Sequence, residues 1–146
     1  MSPTNEGLTV EDLMTQSPIS VTKDTPLDRV WLKMKTYGCR QLPVLNDDNT
    51  LVGIVTNRDV LRAMSSPKSL DRRQLNEESL RRFTTGKCMT ANPMTVKPDT
   101  LAYQAANMLS LYKIGALPVV RDGILVGILT VTNFLEYFAE SRSLVI

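Results

Sequence analysis

Histidine is absent from all 146 residues. That removes the commonest general base and the commonest transition-metal ligand. A Ser-His-Asp triad, a Cys-His dyad and a histidine-based zinc site are therefore excluded within this chain. Cysteine is scarce: Cys39 and Cys88 occupy non-equivalent places in the repeat described below. This argues against a shared structural disulfide and fits a reducing cytosol. No apolar run approaches the roughly 20 residues that a bilayer span needs. The start, Met1 to Gly7, has neither a basic cluster nor an apolar stretch, so it does not read as a signal peptide. Charge of one sign is lacking too: the formal net charge is +2, too small to imply a nucleic-acid partner by itself.

What is present is a duplication. Met14-Thr15, Pro18, Val21, Asp24-Thr25, Tyr37, Leu42-Pro43-Val44 and Leu51-Val52-Gly53-Ile54 with Thr56 form one series. Met89-Thr90, Pro93, Val96, Asp99-Thr100, Tyr112, Leu117-Pro118-Val119 and Leu125-Val126-Gly127-Ile128 with Thr130 repeat it. The offset is 75 residues up to Leu-Pro-Val and 74 after it, because the turn Asn46 to Thr50 is one residue longer than Arg121 to Ile124. Chance does not hold so many identities in register, so the halves are two copies of one structural unit.

Each copy predicts the same elements. Thr9 to Met14 is a short helical turn with Thr9 as N-cap. Ile19–Val21 reads as a short strand. Asp24-Thr25-Pro26 opens a helix, with proline at its first position. Leu27, Val30, Trp31, Met34 and Tyr37 share one face of it, and Gly38 closes it. Gln41–Leu45 and Leu51–Val55 are strands joined by a polar turn, and Thr56 starts a helix running to Met64. The second copy gives a strand at Met94–Val96, a helix from Leu101 to Tyr112, strands at Ala116–Val120 and Ile124–Leu129, and a helix from Thr132 to Ala139. The expected fold is α/β: two β-α-β-β-α repeats, at residues 8–64 and 85–141, packed as one pseudo-symmetric unit. Residues 65–84 read as an exposed connector with one or two helical turns. Its Arg72-Arg73 and Arg81-Arg82 are interleaved with Asp71, Glu77 and Glu78, the pattern of a solvated helix face. Met14, Met34, Met64, Met89, Met94 and Met108 read as gap-filling core and interface rather than a ligand box.

The series Asp12 to Thr15, Pro18 to Val21, Leu42-Pro43-Val44 and Leu51 to Asp59, occurring twice, resembles the CBS domain, and the pair resembles a tandem CBS module of the small stand-alone kind. The resemblance covers Leu8 to Ala139. It implies a pseudo-two-fold unit that dimerises, with clefts between its sheets that take adenosine-containing ligands (AMP, ADP, ATP or S-adenosylmethionine). The family's signature Gly-h-h-Thr/Ser-x-x-Asp stands here as Gly53-Ile54-Val55-Thr56-Asn57-Arg58-Asp59.

The chemistry of that segment suits the role. A strand ending into a helix presents backbone N–H groups and the positive end of the helix. Thr56 can donate to a phosphate oxygen, Arg58 can add a charge-assisted contact, and the Asp59 carboxylate can accept from ribose hydroxyls. The resemblance adds Ile19, Ser20, Val21, Arg40, Gln41 and Pro43 around the base. Thr56-x-x-Asp59 reads equally as a capping box that satisfies its own helix start. The second copy departs from the signature, since Asn133 stands where aspartate is expected and Thr132 where Arg58 stands. Its positions Thr95, Ala116, Pro118, Thr130, Thr132 and Asn133 are expected to form a weaker site.

The expected function is a non-catalytic cytoplasmic sensor. No nucleophile–base pair or metal cluster is visible in the sequence, no cofactor is required, and the output passes to an effector protein. Two alternatives stand beside it: a constitutive dimerisation scaffold with empty clefts, and a nucleic-acid-binding regulator using the basic connector.

Overall fold

The computed structural model describes residues 7–65 and 77–143. In chain order its elements are α1 (Val10–Leu13), β1 (Thr15–Gln16), α2 (Leu27–Tyr37), β2 (Gln41–Leu45), β3 (Leu51–Thr56) and α3 (Asn57–Met64). A 3₁₀ helix at Glu77–Arg82 follows, then α4 (Thr85–Cys88), β4 (Thr90–Ala91), α5 (Ala102–Tyr112), β5 (Ala116–Arg121), β6 (Ile124–Thr130) and α6 (Val131–Ser143).

Short apolar runs bounded by turn residues make the two hairpins. β2 pairs antiparallel with β3 from Gln41–Thr56 to Leu45–Leu51, and β5 with β6 from Ala116–Thr130 to Arg121–Ile124. Both hairpins carry a register irregularity at the same place, after Val44 and after Val119. Asp122 and Gly123 both have positive φ, 53° and 81°. A two-residue turn of that hand matches the twist of the strands it joins. The longer turn is closed by Asp48, whose carboxylate accepts from the Thr50 N–H at 3.1 Å and hydroxyl at 2.6 Å. These bonds hold the Asp48 carboxyl below its ordinary pKa.

The compact units do not coincide with the sequence repeats. The central unit runs from Ile19 to Pro93, and the terminal unit takes the chain up to Pro18 and from Met94 onward. Each three-stranded sheet is completed by the start of the other repeat. β4 pairs with β3 to give the order β2-β3-β4, and β1 pairs with β6 to give β1-β6-β5. Gly53 and Gly127 permit this. A Cβ on Gly53 would collide with the Met89 sulfur and lie 2.9 Å from the Thr90 carbonyl oxygen. On Gly127 it would meet the Met14 sulfur and, at 3.0 Å, the Thr15 carbonyl oxygen.

Each unit has its own core. Val21, Leu27, Val30, Met34, Leu42, Val44, Val55, Val60, Ala63 and Leu80 fill the central one. Val10, Leu13, Val96, Ala102, Ala105, Leu109, Leu117, Val119 and Leu129 fill the terminal one. On α2 the buried face is Leu27, Val30 and Met34, whereas Tyr37 is exposed. Gly38 ends α2 in the left-handed region at φ 66°. Its counterpart after α5 is Lys113, at φ 54°, where a side chain costs energy.

Several expectations are corrected. Ile19–Val21 and Met94–Val96 are not strands: Val21 and Val96 each make one parallel bridge, to Val44 and Val119. The paired strands lie earlier, at β1 and β4. Left-handed Ser17 and Asn92, at φ 46° and 48°, turn the chain before Pro18 and Pro93 and so stop those strands. Pro26 is extended and serves as the N-cap, with Leu27 the first helical residue. α6 starts at Val131 and reaches Ser143. The connector is not wholly exposed, because Leu80 on its 3₁₀ turn is fully buried in the central core and Phe83 packs against it. Residues 66–76, with Arg72-Arg73, lie outside the described residues. Met94 is exposed.

Candidate functional site

The signature segment sits where β3 passes into α3. Thr56 is extended, at φ −117° and ψ 165°, and caps the helix. The Asp59 Oδ2 accepts from the Thr56 N–H at 2.8 Å and from its hydroxyl at 3.1 Å. The Asp59 N–H in turn donates to Thr56 Oγ1 at 3.3 Å. This is a full capping box. It keeps a carboxylate that is 8% exposed satisfied in its half-dry position. The exposed Arg62 guanidinium donates to Oδ1 at 3.5 Å.

All ten residues expected around the first site fall in the central unit. Gln41 pairs with Thr56 across the hairpin, and the Arg40 carbonyl accepts the Asn57 N–H at 2.9 Å. Arg58 is exposed at the helix start, and Arg40, just before β2, is exposed too. Ile19 and Ser20 are half-buried, and Lys33 fixes this segment by donating from Nζ to the Ser20 carbonyl at 3.1 Å. Lys33 was not singled out from sequence; its only mark is its place on α2, one residue short of the buried Met34.

Three details revise the expected chemistry. The N–H groups of Asn57 and Asp59 are spent on Arg40 and Thr56, so the helix start does not offer a row of free donors. Val21 gives its N–H to the Pro43 carbonyl at 3.0 Å, and its own carbonyl takes the Leu45 N–H at 2.8 Å. Val21 and the buried Pro43 therefore shape the sheet end rather than offer polar contacts. The Thr56 hydroxyl likewise gives its proton to Asp59 rather than holding it for a phosphate, which leaves the Arg58 side chain, the second Asp59 oxygen, and the half-exposed Asn57, Ser20 and Gln41.

The second junction, in the terminal unit, explains its own divergence. Asn133 Oδ1 accepts the Thr130 N–H at 2.9 Å, and the Asn133 N–H donates to Thr130 Oγ1 at 3.1 Å. The amide thus reproduces the cap without charge. Its Nδ2 donates to Thr15 Oγ1 on β1 at 3.2 Å, a bond to which a carboxylate could contribute no proton. Asn133 therefore ties α6 to the strand that completes the sheet. Thr15 was legible only as half of a repeated Met-Thr pair. Ala116 and Pro118 are buried, Thr95 is half-buried, and Thr132 is exposed where Arg58 stands in the first junction.

Cys88 ends α4. Its thiol is pushed above its ordinary pKa by burial first and then by the negative charge of Asp59, with Lys87 opposing. Cys39, beside Arg40, is pushed up by burial. Both thiols are free. Among the described residues no group of histidine, cysteine, aspartate and glutamate could hold a metal ion, and no helix is long and apolar enough to cross a membrane. Of the connector's arginines, Arg81 is exposed and lies 3.5 Å from Asp28 on α2.

Two stretches of the sequence, residues 10–66 and 86–140, match the CBS domain family model. The chain belongs to the CBS-domain family. A CBS domain-containing protein of Dictyostelium discoideum is 30% identical over 128 residues, covering 87% of this chain and 88% of its own. CBSX2 in complex with AMP aligns with a TM-score of 0.78 at 32% identity, over 92% of this chain and 98% of that one. The CBS domain pair of protein MJ0100, in complex with 5′-methylthioadenosine and S-adenosyl-L-methionine, aligns with a TM-score of 0.77 at 25% identity, over 91% and 97%. Other curated relatives are longer, and the part of this chain that matches them covers 12% to 41% of their length. The fold is that of a tandem CBS pair.

Proposed function

We propose that this CBS pair is a cytoplasmic regulatory module that binds an adenosine-containing ligand at the Thr56–Asp59 junction and passes the binding to an effector protein. It works as a homodimer and carries no catalysis of its own. The observation that supports this most is the first junction itself. An exposed Arg58 stands beside a buried Asp59 whose second oxygen takes, among the described residues, a long 3.5 Å contact from Arg62. That pairing offers a cation for phosphate and an acceptor for ribose hydroxyls within one helical turn. CBS pairs of the same size and fold, solved with AMP and with S-adenosyl-L-methionine, support the ligand class. Binding would act by favouring one arrangement of the module over another. The second junction, lacking both charges, binds the same ligand more weakly.

The test is a series of thermal midpoints with AMP, ATP and S-adenosylmethionine. A ligand at 100 times its dissociation constant adds about 2.7 kcal/mol. For a chain of this size each kcal/mol raises the midpoint by about 2–4 °C. Arg58→Gln should remove most of the shift produced by a phosphate-bearing ligand. A midpoint unmoved by every nucleotide would leave the scaffold reading in its place.

A further inference from the structure

The second repeat supplies a built-in comparison for the first junction. The offsets of 75 and 74 residues pair Lys33 with Met108, Arg40 with Gly115, Arg58 with Thr132, Asp59 with Asn133 and Arg62 with Glu136. Four cations thus stand with one carboxylate on the elements of the first junction. The corresponding positions of the second hold a single charge, the negative one of Glu136. Lys33 is half-buried on α2, whereas Arg40, Arg58 and Arg62 are exposed. Its Nζ is fixed on the Ser20 carbonyl at 3.1 Å, a bond that uses one of its three protons. Met108, half-buried in the same place on α5, packs against the terminal core instead. Among the described residues no carboxylate meets Arg40 or Arg58.

We propose that the first junction selects its ligand by charge, taking an adenosine di- or triphosphate and refusing S-adenosylmethionine, and that Lys33 is a residue that sets this specificity. Such selection rests on the junction being a nucleotide site, as proposed above, and narrows which nucleotide it takes. One guanidinium can hold a single phosphate group in a two-pronged bond. A second guanidinium and a fixed ammonium then remain, and further phosphates neutralise them. The same field repels a sulfonium, which carries the opposite sign. A nucleic-acid strand fits less well. Asp59 would face its backbone phosphates, and the free pair of ribose hydroxyls that a carboxylate can accept from exists only at the 3′ end of an RNA.

Isothermal titration calorimetry of the full chain, without divalent cations, tests it. ATP should bind at least about tenfold more tightly than AMP, with ADP between them and S-adenosylmethionine weakest. Lys33→Met places on α2 the side chain that α5 already carries at Met108. It should weaken ATP about tenfold and leave adenosine, which has no phosphate, within about twofold. Lys33→Arg should keep the wild-type order. Equal affinities for AMP and ATP, or S-adenosylmethionine as tight as ATP, would overturn selection by charge while leaving an adenosine site in place. No binding of any of these ligands would overturn both. Equal losses of ATP and adenosine in Lys33→Met would overturn the assignment to Lys33 and leave it a tie for Ser20. A single-stranded oligonucleotide that binds more tightly than ATP would overturn the choice of a free nucleotide.

Discussion

At the capping position itself a single atom separates the two junctions: Asp59 carries an oxygen where Asn133 carries a nitrogen. Asn133 shows that an amide at this place supports the full cap. Asp59→Asn should therefore fold like the wild type, judged by circular dichroism, while weakening nucleotide binding by removing the acceptor. It should also release the Cys88 thiol from a neighbouring negative charge. Alkylation of Cys88 by iodoacetamide near pH 8 should then speed up, since the thiolate is the reacting form. An unchanged rate would show that burial alone holds that thiol neutral. The linkage follows the same sign: a thiol kept protonated in the fold contributes stability below its ordinary pKa, and that contribution is lost as pH rises above it. The capping residues and Arg58 were legible in the sequence because their chemistry is local. The Asn133–Thr15 bond was not, because its partners are 118 residues apart and no periodicity links them.

Among the elements, the hairpins were the most legible. Leu42-Pro43-Val44 and Leu117-Pro118-Val119 are fully buried strand centres, and a short apolar run bounded by turn residues announces that. β1 and β4 were missed because two exposed residues carry no alternation; what defines them is a partner strand in the other repeat. Gly53 is where that pairing is most demanding. Gly53→Ala should cost about 1–3 kcal/mol, because the Thr90 backbone cannot yield as a side chain does, and a denaturant midpoint will read it. At the end of α5 the opposite change helps. Lys113→Gly relieves a left-handed side chain and should add about 0.5–1 kcal/mol, seen as a higher melting temperature. Leu80 escaped notice because its helical turn is weakly patterned and mostly charged.

At the scale of the whole molecule, the repeat and the compact unit are different divisions of the same chain. A fragment of residues 8–64 carries one full sequence repeat but lacks Leu80, α4 and β4. A fragment of residues 19–93 contains every residue of the central core. The second should show cooperative unfolding by Trp31 fluorescence, whereas the first should not. Cooperative unfolding of residues 8–64 alone would mean that the sheet edge supplied by the other repeat contributes little.

That crossed construction constrains how such a chain could arise. A protein holding one repeat would own an N-terminal strand that its own sheet cannot use and a sheet edge that its own strand does not fill. Two such proteins could satisfy each other only by trading their leading segments. Duplication in tandem would then have joined two already interlocked partners, rather than inventing the interlock afterwards. Separate halves, expressed as 1–76 and 77–146 and mixed, should accordingly recover native circular dichroism together that neither attains alone.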